Sequence, residues 1–255
     1  MQNCQLSIVN CQLIIMFIIH NHIKQYPEPN VLDIGADEKE AENAPLFSAG
    51  IHPKLIDKSF HENFAAVTRL ASHPHCAAIG ECGIDIFAPS SVTQQKEAFM
   101  QHLRLAQQYA KPVIIHCVRA YSEIISALNA ARFQLPVVMH SYNGNIQTTQ
   151  QLLRRGNIYF SFSDKILAPN CAAQKSLDLI PLSRILIETD NSNSPLQPIV
   201  SLISDIKRVG EEAVVESNNY LFQCIMHNFQ LPAINYQLIP SIITNAAHNP
   251  GCGNF

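Results

Sequence analysis

No CxxC pair occurs among the eight cysteines, which lie scattered through a chain of 255 residues, mostly in apolar runs. That argues against a disulfide scaffold and for buried, reduced thiols in a cytoplasmic protein. There is no basic excess either. Lys and Arg number 17 against 20 Asp and Glu, for a net charge of −3. Composition alone therefore gives no case for a polyanion binder, although a bound metal ion can supply positive charge locally. No apolar run is suited to crossing a membrane. The nearest, Leu6–Ile19, is interrupted by Asn10 and Gln12, and no Lys or Arg precedes it as a signal peptide would require. The tetrapeptide NCQL recurs at 3–6 and 10–13, a repeat too short for a solenoid.

What the chain does have is apolar mass in short runs. With 47% hydrophobic residues it can close one large core, and α/β barrels of roughly 200–250 residues commonly form a single domain. Leu13–Ile19 reads as a strand buried on both faces and ends at His20-Asn21-His22. Val31–Gly35 and Leu46–Ile51 are shorter strand candidates, the second ending at His52. Cys76–Gly80 leads straight into Glu81, Val113–Ile115 into His116, and Pro136–Met139 into His140. Ile158–Phe162 follows, and Arg184–Ile187 ends at Glu188-Thr189-Asp190. Helical segments are expected at 60–72, 93–109, 121–131, 146–155, 171–179, 202–208 and 211–229, with Gly156 placed to cap the fourth. This alternation predicts parallel strands covered by helices. Seven or so strands with no long crossover favour a TIM (β/α) barrel of the α/β class over an open sheet. The barrel domain is expected over 16–230, with 1–15 as a non-native leader or disordered stretch and 231–255 as a poorly ordered tail.

Six metal-competent side chains fall at strand ends: His20, His22, Glu81, His116, His140 and Asp190. In a (β/α) barrel all the C-terminal strand ends lie on one face, so residues far apart in sequence converge in one mouth. Imidazole with carboxylate suits Zn²⁺, Mn²⁺ and similar ions. Six ligands are too many for one ion with an open position and suit two divalent cations sharing a carboxylate. Glu81, central among the strands, is the natural bridge. His52 can line the mouth without binding metal. His61, His73, His75, His102, His227 and His248 fall on helices or loops and are read as structural. Cys82 and Cys117, each directly after a proposed ligand, are read as packing thiols facing away.

Taken together, GIHP at 50–53, GECGID at 80–85, PVIIHC at 112–117, His140 with SYNG, and ETD at 188–190 resemble the TatD family of metal-dependent hydrolases, in order from about His20 to Phe222. Ile18 stands where that family usually carries an Asp two residues before the HxH. The resemblance implies two metal ions hydrolysing phosphoester bonds, usually in DNA, which makes a deoxyribonuclease the expectation. By motif, His20, His22 and Asp190 would hold one ion and His116 and His140 the other. Glu81 would bridge them, and Asp190 would serve as the catalytic base. Arg119, Tyr121, Asn143 and Lys165, just past strand ends, are candidates for phosphate contact, and Asp85 is a supporting residue. The ions could be Mg²⁺, Mn²⁺ or Zn²⁺. The partner would be DNA or another phosphoester, with no membrane, and the chain a monomer. Two other readings share the barrel. An amidohydrolase cleaving C–N or C–O bonds would usually place a lysine at the fourth strand end, where Glu81 stands here. A degenerate metal-binding barrel would have lost a ligand, and all six are present.

Overall fold

The structure is a computed structural model that describes residues 16–24, 29–169 and 171–226. The segments 1–15 and 231–255 therefore lie outside the described residues, as do Leu13–Ile15 of the first strand run, His227 and His248. The strands are β1 (Ile18–Asn21), β2 (Asn30–Asp33), β3 (Phe47–Ala49), β4 (Cys76–Asp85), β5 (Val113–Val118), β6 (Val137–Met139), β7 (Ile158–Phe162) and β8 (Ile185–Ile187). They lie side by side in chain order, each parallel to the next. β1 returns to the far end through a parallel bridge between Asn21 and Asp190, where His22 N donates to Asp190 O at 2.9 Å. The barrel thus closes beside the HxH and ETD motifs.

The helices are α1 (Phe60–Ala71), α2 (Val92–Gln108), α3 (Tyr121–Ala130), α4 (Ile146–Leu153), α5 (Ala172–Leu177), α6 (Gln197–Lys207) and α7 (Glu211–Ile225). Local signals account for several boundaries. Ser91 and Gln94 form a reciprocal capping box at the start of α2. Asn145 caps α4 by accepting from Thr148 N. Pro198 sits in the first turn of α6, which starts ahead of the expected Leu202. Gly156 does not cap α4, because the helix ends at Leu153 with Arg154 as its cap.

Two apolar layers divide the strand residues. Ile18, Ile79, Cys82, Ile84, Ile115, Met139 and Ile187 pack under the helices. Ile19, Val31, Ala78, Ile114, Val138 and Leu186 form the other layer, joined by Leu221, Phe222, Ile225 and Met226 of α7 and its end. On β5 and β6, simple alternation continues from Ile114 and Val138 to His116 and His140 on the inner face. On β1 and β4 it does not. The register shifts between Ile18 and Asn21, and again between Ile79 and Cys82. Such irregularities re-aim side chains, and here they turn His20 and Glu81 inward. β4 also runs on to Asp85, with all ten residues buried. Glu81 is therefore mid-strand rather than at its tip, and Asp85 belongs to the strand instead of lying past it. Gly80 and Gly83 make this possible. Both have φ 144°, and a Cβ on either would meet β5 backbone, 2.4 Å from Ile114 O and 2.0 Å from His116 O.

Candidate metal centre

The six strand-end residues do meet. Glu81, 4% exposed, stands between two groups of imidazoles. Its Oε2 lies 3.3 Å from His22 Nε2 and 3.6 Å from His20 Nε2. Its Oε1 lies 2.5 Å from His116 Nδ1, 3.5 Å from His140 Nε2 and 3.6 Å from His52 Nε2. Asp190 completes the ring, with Oδ1 3.7 Å from His22 Nε2 and Oδ2 4.0 Å from His140 Nε2. The Nε2 atoms of His20 and His22 are 3.1 Å apart. Ligands at about 2.0–2.2 Å from one divalent ion stand about 3–3.5 Å from each other. The donor spacing fits a metal better than it fits hydrogen bonding, since two imidazole nitrogens and a carboxylate oxygen share few protons. Among the described residues, three groups have ligand atoms all within 4.8 Å: His20–His140–Asp190, His20–His22–Glu81 and His52–Glu81–His116.

The atoms behind the rings sort the histidines. His22 Nδ1 stands 3.4 Å from Asp33 Oδ2, and His140 Nδ1 stands 2.9 Å from Glu188 Oε1. For His116 the far nitrogen is Nε2, 3.5 Å from Asp85 Oδ2. A carboxylate behind a ring draws the proton there and leaves the other nitrogen's lone pair facing inward. His52 is the opposite case. Its Nδ1 accepts from Lys54 N at 3.1 Å, so in the neutral ring the proton sits on Nε2, the atom aimed at Glu81. Burial lowers the His52 pKa to about 4, against the pull of Glu81, which keeps the ring neutral. His52 is thus built to donate into the mouth.

Charge is concentrated where the rings converge. Burial works to raise the Glu81 pKa, but His140, His116, His20 and His22 outweigh it and hold it well below the usual carboxylate range. Burial opposes protonation of His140, yet Glu188, Glu81 and Asp190 raise its pKa to about 9. Asp190 is likewise pushed up by burial and pulled down further by His140 and Lys165. Lys165 Nζ reaches Asp190 Oδ2 at 2.5 Å. Asp33 is raised by burial, with His20 and His22 working against it. The backbone turns sharply at or just past several of these groups, with φ of 44° at Ser141 directly after His140, 53° at Arg119 three residues past His116, and 54° at Asp190 itself, conformations that non-glycine residues adopt mainly where the surroundings hold them.

A cavity of about 390 Å³ opens beside the centre, lined by His116, His140, Arg119, Tyr121, Lys165 and Phe162 among others. Asn143 also lines it, but its Oδ1 is taken by Ala173 N and the Cys171 thiol. Arg119 lies over the ring of Phe87, which is 65% exposed. Cys82 packs under the helices and Cys117 is half-buried. Burial raises both thiols, Cys117 to about 12. His102 is buried and structural: Nδ1 donates to Ala98 O at 2.8 Å and Nε2 accepts from Ile51 N at 3.0 Å.

The model of the family described as TatD related DNase matches residues 16–228. The chain belongs to that family. Among curated proteins, the 3'-5' ssDNA/RNA exonuclease TatD of Cronobacter turicensis is 32% identical over 178 residues, 63% of this chain and 66% of the relative. The uncharacterized metal-dependent hydrolase YcfH of Escherichia coli is 29% identical over 149 residues, 57% of this chain and 55% of the relative. The chain thus spans somewhat less than two thirds of these curated relatives. Among solved structures, the TatD homolog YjjV of Escherichia coli superposes with a TM-score of 0.75 at 18% identity, covering 86% of this chain and all of that one. The TatD-family hydrolase of Entamoeba histolytica gives 0.70 at 15% identity, covering 84% of this chain and 98% of that one. These confirm the barrel.

Sequence reasoning had no role for Asp33; for His52 it gave a place lining the mouth but not the direction of its ring proton. Asp33 carried the same signal as Glu81, a lone carboxylate closing an apolar run. It was lost because that run reads on through Ile34 to Gly35. Among the described residues no helix is long and apolar enough to cross a membrane.

Proposed function

We propose that this chain is a divalent-metal-dependent phosphodiesterase that removes nucleotides from single-stranded DNA or RNA. The observation that carries the reading is the placement of Glu81 with one oxygen toward His20 and His22 and the other toward His116 and His140. His20, His22 and Asp190 would hold one ion, His116 and His140 a second, and Glu81 both. Bound there, the ions would supply an acidified water and charge for the phosphoryl oxygens. Asp190, held ionised beside His140 and Lys165, accepts the proton of the attacking water. His52, with Nε2–H aimed inward, donates to a phosphoryl oxygen. Arg119 and Lys165 neutralise neighbouring phosphates along the cavity, and Phe87 with Arg119 offers a stacking face to a base. Tyr121 lines the same cavity and Asn143 holds its wall. Glu81 on the fourth strand, where an amidohydrolase lysine would stand, favours phosphoester chemistry. The expected protein acts as a cytoplasmic monomer whose barrel domain covers 16–230.

The test is a 5'-labelled single-stranded oligonucleotide with chelated protein resupplied with Mg²⁺, Mn²⁺ or Zn²⁺. Metal-dependent shortening of the label is expected. An Asp190→Asn change should slow it by about 10²–10⁴-fold, the usual contribution of a positioned base. Intact oligonucleotide under all three ions, with other phosphoesters equally untouched, would overturn the reading.

A further inference from the structure

A carboxylate outside the six proposed ligands, its side chain only 10% exposed, touches two of them. Asp33 closes β2, and its side chain enters the barrel between β1 and β4. Its Oδ1 is the shared acceptor of three donors: Glu81 N at 3.3 Å, Ser48 Oγ at 3.4 Å and Gly35 N at 3.4 Å. Ser48 is fully buried on β3, so the three donors come from successive strands and a turn. They fix one oxygen and leave Oδ2 directed at His22 Nδ1, 3.4 Å away. The opposite nitrogen of that ring, Nε2, is the atom 3.3 Å from Glu81 Oε2 and 3.1 Å from His20 Nε2.

The chemistry of this arrangement is specific. A neutral imidazole carries one ring proton and offers one lone pair. His22 can face a cation through Nε2 only if its proton resides on Nδ1, and Asp33 Oδ2 is the acceptor that stands there. His22 needs such help more than His140 does, because its side chain is 26% exposed against 4% for His140, so packing alone holds it less firmly. The same Asp33 oxygen that accepts from Glu81 N also ties the irregular stretch of β4 to β2. One side chain thus sets the ring of the HxH arm and the backbone of the bridging residue together.

We propose that Asp33 is a positioning residue: it holds the Nδ1–H tautomer of His22 and so makes Nε2 a metal ligand. The proposal rests on His22 being a ligand, and the experiment separates the two. Ring ¹⁵N spectra of the chelated full-length protein, taken at the alkaline end of the His22 titration, read the neutral tautomer without any metal. The expected wild-type result is protonated Nδ1 and bare Nε2. Asp33→Asn keeps a carbonyl for the three donors but turns an amide N–H₂ toward Nδ1, and should move the ring proton to Nε2. Mn²⁺ titration of the same proteins should then show one of two sites weakened about 10–100-fold in the variant, with the other unchanged. A wild-type His22 in the Nε2–H tautomer would overturn the proposal, even if the variant fails to fold. So would an Asp33→Asn protein that binds Mn²⁺ as the wild type does. A wild type that binds no Mn²⁺ yet shows the expected tautomer would sink the metal reading and leave the orienting contact standing.

Discussion

β5 and β6 deliver His116 and His140 by plain alternation, whereas β1 and β4 deliver His20 and Glu81 through breaks in register. Ile114 and Val138 lie in the inner layer, and two residues on, His116 and His140 enter the mouth. On β4 the same arithmetic from Ala78 would leave Glu81 facing the helices beside Ile79. The shift between Ile79 and Cys82 reverses that parity, and Asp85, two pairs further, then falls behind His116. β1 shows the same reversal between Ile18 and Asn21. A regular strand tolerates ordinary side chains. On β4 the backbone also runs close against β5, which is why GECGID carries two glycines, whereas β1 makes its shift without one.

The largest effect is expected where the irregular strand is most crowded. Gly83→Ala would put a methyl group 2.0 Å from His116 O at φ 144°, and overpacking plus backbone strain together should cost roughly 3–5 kcal/mol. Urea unfolding would show it. The matching change on the regular strand, Ile115→Val, removes one buried methyl from β5 and should cost only about 1 kcal/mol. Equal costs at the two positions would erase the distinction between the strands.

Metal content draws the same contrast. Glu81→Ala removes the oxygens facing both imidazole groups and should empty the centre, while His140→Ala should spare the ion near His20 and His22. Mass spectrometry of gently purified protein gives the counts. Full retention by Glu81→Ala would mean that the irregular stretch of β4 has no metal role.

A smaller effect should come from His102, which fixes Ile51 just before His52. Burial lowers its pKa from 6.5 to about 4. Above pH 6.5 the ring is neutral in both states and stability is unaffected. As pH falls from 6.5 toward 4 the unfolded chain takes up a proton that the folded chain refuses, so stability declines, by up to about 3 kcal/mol. A His102→Gln protein should lack that segment of the pH–stability curve. An unchanged curve would place the acid sensitivity elsewhere.

Much of this was legible before the fold was known. Apolar runs marked all eight strands, because parallel strands buried on both faces need no alternation to be seen. The mouth was legible because His20, His22, Glu81, His116, His140 and Asp190 each follow such a run. Strand lengths were not, since Glu81 and His116 looked like terminators while β4 and β5 continue past them. The role of Asp33 and the tautomer of His52 were hidden for a different reason. A ring's usable lone pair depends on what stands behind it, and Asp33 reaches His22 from β2 while Lys54 N reaches His52 from the turn after β3.

The bridging of two ions by Glu81 is tested most directly by electron paramagnetic resonance of the chain loaded with Mn²⁺. Two Mn²⁺ per chain with an exchange-coupled spectrum are expected, as for ions about 3.5–4 Å apart, and Glu81→Gln should abolish the coupling. A wild-type chain holding one Mn²⁺, or two that give independent spectra, would contradict it.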